Sequence, residues 1–194
     1  MRAPENRLLS FVIAMTRLVE AGPADEAQLI RGATPLMQAL VAHDDWLPEA
    51  MAVGDAQRYQ QHLLYGDPLD RFALVSFVWG PGQQTPVHDH TVWGIIGMLR
   101  GREWTQRYAY DDSGRLTPSG SLITLLPGAL DIVSPRLGDV HAVGNALDDQ
   151  ASISIHLYGA NIGRVTRHVF TPETGAVKDF VSGYSNALAP NLWA

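Results

Sequence analysis

Apolar residues recur every three or four positions near the start of the chain and in short alternating runs beyond residue 58, so the sequence divides into a helical portion and a β portion. Leu8, Phe11, Val12, Met15, Leu18 and Val19 form one apolar stripe, which predicts an amphipathic helix over residues 5–20 ended by Gly22-Pro23. A second helical segment is expected from about Ala24 to Arg31. A third is expected to start at Thr34-Pro35, where Thr34 can cap and Pro35 suits the first helical position. It would turn Leu36, Leu40 and Val41 inward and end near His43-Asp44-Asp45, the helices together covering one side of the domain.

From residue 58 onward, runs rich in β-branched and aromatic residues alternate with Gly, Pro, Asp and Asn. The expected strands are Tyr59 to Tyr65, Phe72 to Trp79, Thr85 to His90, Trp93 to Leu99, Trp104 to Tyr110, Ser121 to Leu125, Leu130 to Val133, Asp139 to Val143, Ser152 to Tyr158 and Val165 to Phe170. Asp111-Asp112-Ser113-Gly114 reads as a hairpin turn. Many short strands at regular spacing predict a mainly β sandwich or barrel. One domain over 1–194 is expected, with a helical portion over 1–50 and a barrel over about 58–180; the segment Lys178 to Ala194 has mixed signals and receives no assignment.

Composition narrows the function classes. The net charge of -6, with no basic cluster, argues against nucleic-acid and anionic-membrane surfaces. No apolar run approaches the roughly 20 residues of a membrane span. Leu8 to Met15 resembles a signal-peptide core, but Arg17 and Glu20 stand where small residues would mark cleavage, so a cytoplasmic protein is expected. The absence of cysteine removes disulfides, thiolate ligands and thiol nucleophiles, which leaves His, Asp and Glu to hold any transition metal.

His88 and His90 lie two residues apart, so in a strand both imidazoles would face one side. His141 lies in a second Pro/Gly-punctuated segment and could complete a three-histidine metal site. Ser154, His156 and Tyr158 alternate with Ile153, Ile155 and Leu157, which puts the polar three on one face; the bland alternative turns that face to solvent. His43, His62 and His168 read as ordinary polar positions, Trp93 and Trp104 as core or pocket wall.

Gly82, His88, His90 and Gly101 reproduce the spacing of the first cupin motif, and Pro135 to Asn145 resembles the second with one extra residue between its Pro and Gly. The resemblance implies a jelly-roll barrel with a metal inside. It departs at Gly94, where the general cupin pattern has a glutamate ligand; Glu103 is the nearest carboxylate, at an offset that does not fit. That departure, together with the Ser154-His156-Tyr158 run, resembles the thiol dioxygenases related to cysteine dioxygenase over roughly residues 58–170.

The resemblance implies Fe(II) on His88, His90 and His141, a relay in which Ser154 orients His156 and His156 holds the Tyr158 hydroxyl, and a thiol acid oxidised by dioxygen to its sulfinate. Gln61 stands where cysteine-type enzymes carry a carboxylate-binding arginine. Bacterial 3-mercaptopropionate dioxygenases, which the chain resembles most, use a later arginine; this matches Arg167, with Arg164 as the neighbouring alternative. 3-Mercaptopropionate is therefore the expected substrate, with cysteine or mercaptosuccinate as alternatives. Without cysteine, Tyr158 cannot carry a thioether crosslink. A non-redox metallo-cupin and a ligand-binding cupin without turnover are the rival classes, and a monomer or small homo-oligomer is expected.

Overall fold

The computed structural model describes residues 6–193, and the elements follow the two periods. Helix α1 spans Arg7–Glu20, with the Asn6 side chain accepting from the Leu9 N–H at 3.0 Å; Leu8, Phe11, Val12 and Met15 are its buried face. Helix α2 spans Glu26–Val41 without interruption, which corrects the expectation of two helices divided before Thr34-Pro35. Thr34 does not cap; its hydroxyl donates to the Ile30 carbonyl at 2.7 Å within the helix. An internal proline costs roughly 3 kcal/mol, whereas each buried aliphatic side chain contributes about 1.5–3 kcal/mol. Ile30, Met37, Leu40 and Val41, four such residues on one face with Ala33 between them, outweigh that cost. Met37 takes the inward position expected of Leu36, which is only half-buried.

A 3-10 turn at Glu49–Met51 leads to eleven strands among the described residues: β1 Gln60–Gly66, β2 Ala73–Trp79, β3 Val87–His88, β4 Gly94–Arg100, β5 Glu103–Tyr110, β6 Leu116–Leu125, β7 Leu130–Val133, β8 His141–Asn145, β9 Ser152–Tyr158, β10 Arg167–Thr171 and β11 Ala176–Phe180. They form a five-stranded sheet, ordered β1-β2-β9-β4-β7, and a six-stranded sheet, ordered β11-β10-β3-β8-β5-β6. Every strand pair is antiparallel. Both sheets contribute to the wall of one cavity, and the helices cover the outer face of the first: this is the cupin jelly roll, mainly β with α-helices ahead of it. In the β5–β6 hairpin, the Asp111 carboxylate accepts from the Ser113 and Arg115 N–H groups and Gly114 adopts φ +77°, as the turn requires.

Strand β9 decides how the two layers meet. All seven of its residues are buried. Ile153, Ile155 and Leu157 join the core built with the helices, while His156 and Tyr158 line the cavity. The polar face is thus interior, and the solvent-facing alternative for Ser154, His156 and Tyr158 is excluded.

One expectation fails along the second sheet. The strand expected from Thr85 to His90 is regular over Val87–His88 only, and beyond it the chain turns at Thr91, which has φ +59°. The segment after β11 carries no simple period, yet it closes the β1 edge of the first sheet. Ser185 N–H donates to the Gln61 carbonyl at 2.8 Å, and the Asn186 amide both accepts from Leu63 N–H and donates to Leu63 C=O. Leu192 then enters the core, where its carbonyl accepts from Asn6. Among the described residues no helix is long and apolar enough to cross a membrane. Asn186→Ala leaves two backbone groups of β1 unpaired, and the expected loss is about 1–2 kcal/mol, read as a lower urea midpoint with an unchanged slope.

Candidate metal centre

His88 ends β3 and is paired directly with His141, the first residue of β8, so their imidazoles project from neighbouring strands into the barrel. His90 lies beyond the end of β3 and is not aimed by strand alternation. The Asp139 carboxylate accepts from His90 N–H at 3.0 Å, Thr91 N–H at 2.8 Å and the His90 ring at Nδ1, 2.9 Å. Three hydrogen bonds to one carboxylate fix the turn and the ring together. Burial raises the Asp139 pKa, but the His90 ring and the two backbone groups lower it further, so the carboxylate is ionised.

The other two rings are held in the same sense. His88 Nδ1 lies 3.1 Å from the Pro86 carbonyl, and His141 Nδ1 lies 3.3 Å from the Thr105 hydroxyl. With all three Nδ1 atoms engaged, the Nε2 atoms face one another, the ligand atoms of the three rings lie within 4.8 Å, and His141 Nε2 is buried with no partner. An orphaned imidazole nitrogen costs about 1–3 kcal/mol unless something binds it, and one metal ion with neutral nitrogen ligands fits the arrangement. Burial, then the neighbouring His90, holds His88 down at about 3, and His141 well below its ordinary value, so both are neutral ligands at pH 7.

Among the described residues no carboxylate joins the three rings. Gly94 is directly opposite Tyr158 across β4 and β9, and a Cβ at Gly94 would lie 2.9 Å from the Tyr158 ring and 3.1 Å from Val133. The tyrosine fills the space that a side chain at 94 would need. Glu103 is buried on β5, takes a hydrogen bond from Ser152 Oγ at 3.2 Å and is not part of the histidine group.

The relay is assembled along β9. Ser154 Oγ lies 2.8 Å from His156 Nε2, and His156 Nδ1 lies 2.8 Å from the Tyr158 hydroxyl. Trp79 Nε1–H donates to Ser154 at 3.3 Å, and the Tyr158 ring stacks on His90 with centroids 5.6 Å apart. Burial keeps His156 neutral and pushes the Tyr158 hydroxyl well above its ordinary value, so the phenol retains its proton.

Both sheets line a cavity of about 270 Å³, which contains the three histidines, His156, Tyr158, Gln61 and Arg167. Arg167 is only 3% exposed, packs its guanidinium 4.5 Å from the Phe180 ring centroid and donates to Ser182 Oγ at 2.6 Å. Its Nε has no partner, and it forms no ion pair among the described residues. Arg164, the neighbouring alternative, has its side chain 75% exposed and reaches Asp70 at 3.6 Å, away from the cavity. Gln61 lines the cavity, but its amide N–H groups are engaged with Ser182 Oγ and the Gly183 carbonyl, both at 3.1 Å.

Several neighbours of the site are not singled out by pattern. Tyr59, Phe77 and Trp79 form its aromatic wall, while Trp93 is buried in the core shared with the helices and Trp104 is half-buried against the second sheet's core. His168, read as ordinary, donates its backbone and ring N–H to Asp89, the residue between the two adjacent histidines. Asp89 and Asp139 had a signal in hindsight, being acids inside the two motifs; Ser182 had none.

A family model described as cysteine dioxygenase type I matches residues 34–169. The chain belongs to that family. The match makes it a thiol dioxygenase by family, of the non-haem iron kind, and its histidine group is the family's expected place for a metal. Among solved structures, the chain is similar to a protein of Thermus thermophilus at 17% identity, over 58% of this chain and 92% of that one, with a TM-score of 0.45. A cupin-like protein of Thermotoga maritima shows 18% identity over 66% and 84% of the two chains, with a TM-score of 0.44. A double-stranded β-helix protein of Klebsiella pneumoniae shows 14% identity over 73% and 93%, with a TM-score of 0.47.

Removing the carboxylate that holds His90 should loosen the metal group without unfolding the barrel. Asp139→Ala is expected to weaken iron or zinc binding by roughly 10–100-fold, measured by competitive chelator titration.

Proposed function

We propose that the protein oxidises a small thiol carboxylic acid, 3-mercaptopropionate in preference to L-cysteine, to its sulfinate with dioxygen, and that His88, His90 and His141 hold Fe(II) through Nε2. The observation that supports this substrate is the charge inventory of the cavity. Among the described residues Arg167 brings a buried cation with no ion-pair partner, and no carboxylate lines the cavity. The carboxylate of 3-mercaptopropionate would meet the guanidinium fork, whereas the extra ammonium of cysteine would lose water and find no counter-charge.

Fe(II), when bound, supplies the sulfur coordination and dioxygen activation that no side chain can perform. The chain supplies position and protons. Arg167 would take the substrate carboxylate, with Gln61 acting through Ser182 to hold the guanidinium rather than touching the acid itself. Tyr158, protonated and supported by His156 and Ser154, would donate its hydroxyl hydrogen to an oxygen atom gaining charge or to the carboxylate. Tyr59, Phe77 and Trp79 would keep water from the reacting atoms. A thiol and dioxygen become a sulfinate and one proton, so a proton must also leave the site.

A second reading, mercaptosuccinate, draws on Lys178, which is exposed and also lines the cavity. It would give a second carboxylate a cation at the mouth.

Iron-loaded protein is expected to consume oxygen with 3-mercaptopropionate at a kcat/KM at least ten-fold above that with L-cysteine, with sulfinate detected by mass spectrometry. Equal rates would remove the charge argument, and no uptake with any thiol acid would remove the activity. Arg167→Ala is expected to raise KM about 100-fold while iron stoichiometry is retained, as befits loss of a buried charge pair.

A further inference from the structure

Glu103 is a buried acid that the proposed chemistry leaves unused. It stands on β5 with 1% exposure, and Ser152 Oγ donates to it at 3.2 Å. Leu125 of β6 and Asn145 of β8 pair with it, and Ser152 and Ser154 reach it from β9; none of these four is titratable. Burial pushes its pKa up to about 8, eased by the hydroxyls of Ser154 and Ser152, with no charged group contributing. The next titratable group beyond Ser154 is His156, which burial keeps neutral. Glu103, Ser154, His156 and Tyr158 therefore form one line from the barrel wall to the cavity.

We propose that Glu103 is a positioning residue whose proton sets the direction of every hydrogen bond in this line, and hence whether Tyr158 offers a hydrogen or a lone pair to the cavity. The argument rests on the donor inventory. As a neutral acid, Glu103 donates to Ser154 Oγ, which also accepts from Trp79 Nε1–H, so the serine hydrogen must go to His156 Nε2. His156 then carries its proton on Nδ1 and donates to the Tyr158 oxygen, leaving the phenolic hydrogen free for the cavity.

Loss of one proton from Glu103 reverses the line. The carboxylate accepts the serine hydrogen, Ser154 accepts from His156 Nε2–H, and His156 Nδ1 accepts the Tyr158 hydrogen. His156 keeps one proton but exchanges its tautomer, and the proton released is the one from Glu103. Both arrangements satisfy every group, so the line has two states and the acid chooses between them. Its bearing on turnover rests on the proposed role of Tyr158; the tautomer itself does not.

The test is ¹⁵N NMR of histidine side chains in the full chain without added metal, His156 being assigned by the signal lost in His156→Asn. As pH rises through about 8, the wild type should pass from the Nδ1–H to the Nε2–H tautomer, in step with loss of a carboxylic-acid band in the infrared spectrum. Glu103→Gln replaces the acid by an amide that does not titrate, so it should hold one His156 tautomer across the range. A wild type that keeps one tautomer across the range overturns the proposal whether or not the variant folds, and so does a variant that still exchanges. On iron-loaded protein, kcat should fall above about 8 in the wild type and lose that alkaline fall in Glu103→Gln. If neither oxidises any thiol while the tautomer still exchanges with Glu103, the functional reading fails and the inference stands.

Discussion

The candidate centre hangs on a strand of two residues. His88 is paired with His141 on one side and with Val169 on the other, and there the regular ladder of β3 stops. What continues it is a pair of acids. Asp89 takes the backbone and ring hydrogens of His168, and Asp139 takes those of His90 together with Thr91 N–H. Each carboxylate substitutes for strand partners at a point where the chain has to turn. A longer β3 would place His90 by alternation alone. The short one places it through Asp139, which sets ring direction and tautomer at once.

A second constraint is one of volume. Tyr158 and Gly94 face each other across β4 and β9, and a Cβ at residue 94 would lie 2.9 Å from the phenol ring, too close without a shift. A carboxylate ligand there and a tyrosine relay here compete for the same space. With the side chain at 94 reduced to hydrogen, the cavity of this chain gains a neutral hydroxyl donor and loses an anion. Three neutral imidazoles leave a bound divalent ion its full charge, which suits anionic ligands.

Much of this was legible in the sequence because it is local. The alternation of Ser154, His156 and Tyr158 is a two-residue period, and the histidine spacings lie in two short segments. Misreadings arose where distant contacts decide. Pro35 looked like a helix start, yet the continuous buried face from Ile30 to Val41 carries the helix through it. Thr85 to His90 looked like one strand, yet its end is set by Asp139, 49 residues beyond His90. Arg164 and Arg167 are three residues apart in sequence, yet Arg164 closes the 3-10 turn Ile162–Arg164 with its side chain exposed, whereas Arg167 opens β10 and is buried. Ser182 and the Asn186 clasp have no periodic signature at all, since they bind backbone and side chains more than 120 residues earlier.

That least legible segment is what makes the most costly residue tolerable. A guanidinium buried without a carboxylate loses much of its hydration, and burial accordingly lowers the Arg167 pKa, although arginine keeps its proton. Phe180 and Ser182, at the end of β11 and just beyond it, return part of that loss through the aromatic face and one short hydrogen bond. Asp89 lies near enough to favour the charge but is already occupied by His168. The fold therefore carries a cation that it satisfies only in part, with Nε unpaired. In the proposed function an anionic substrate completes the set, so the stability given up in folding reappears as selectivity for a negatively charged end.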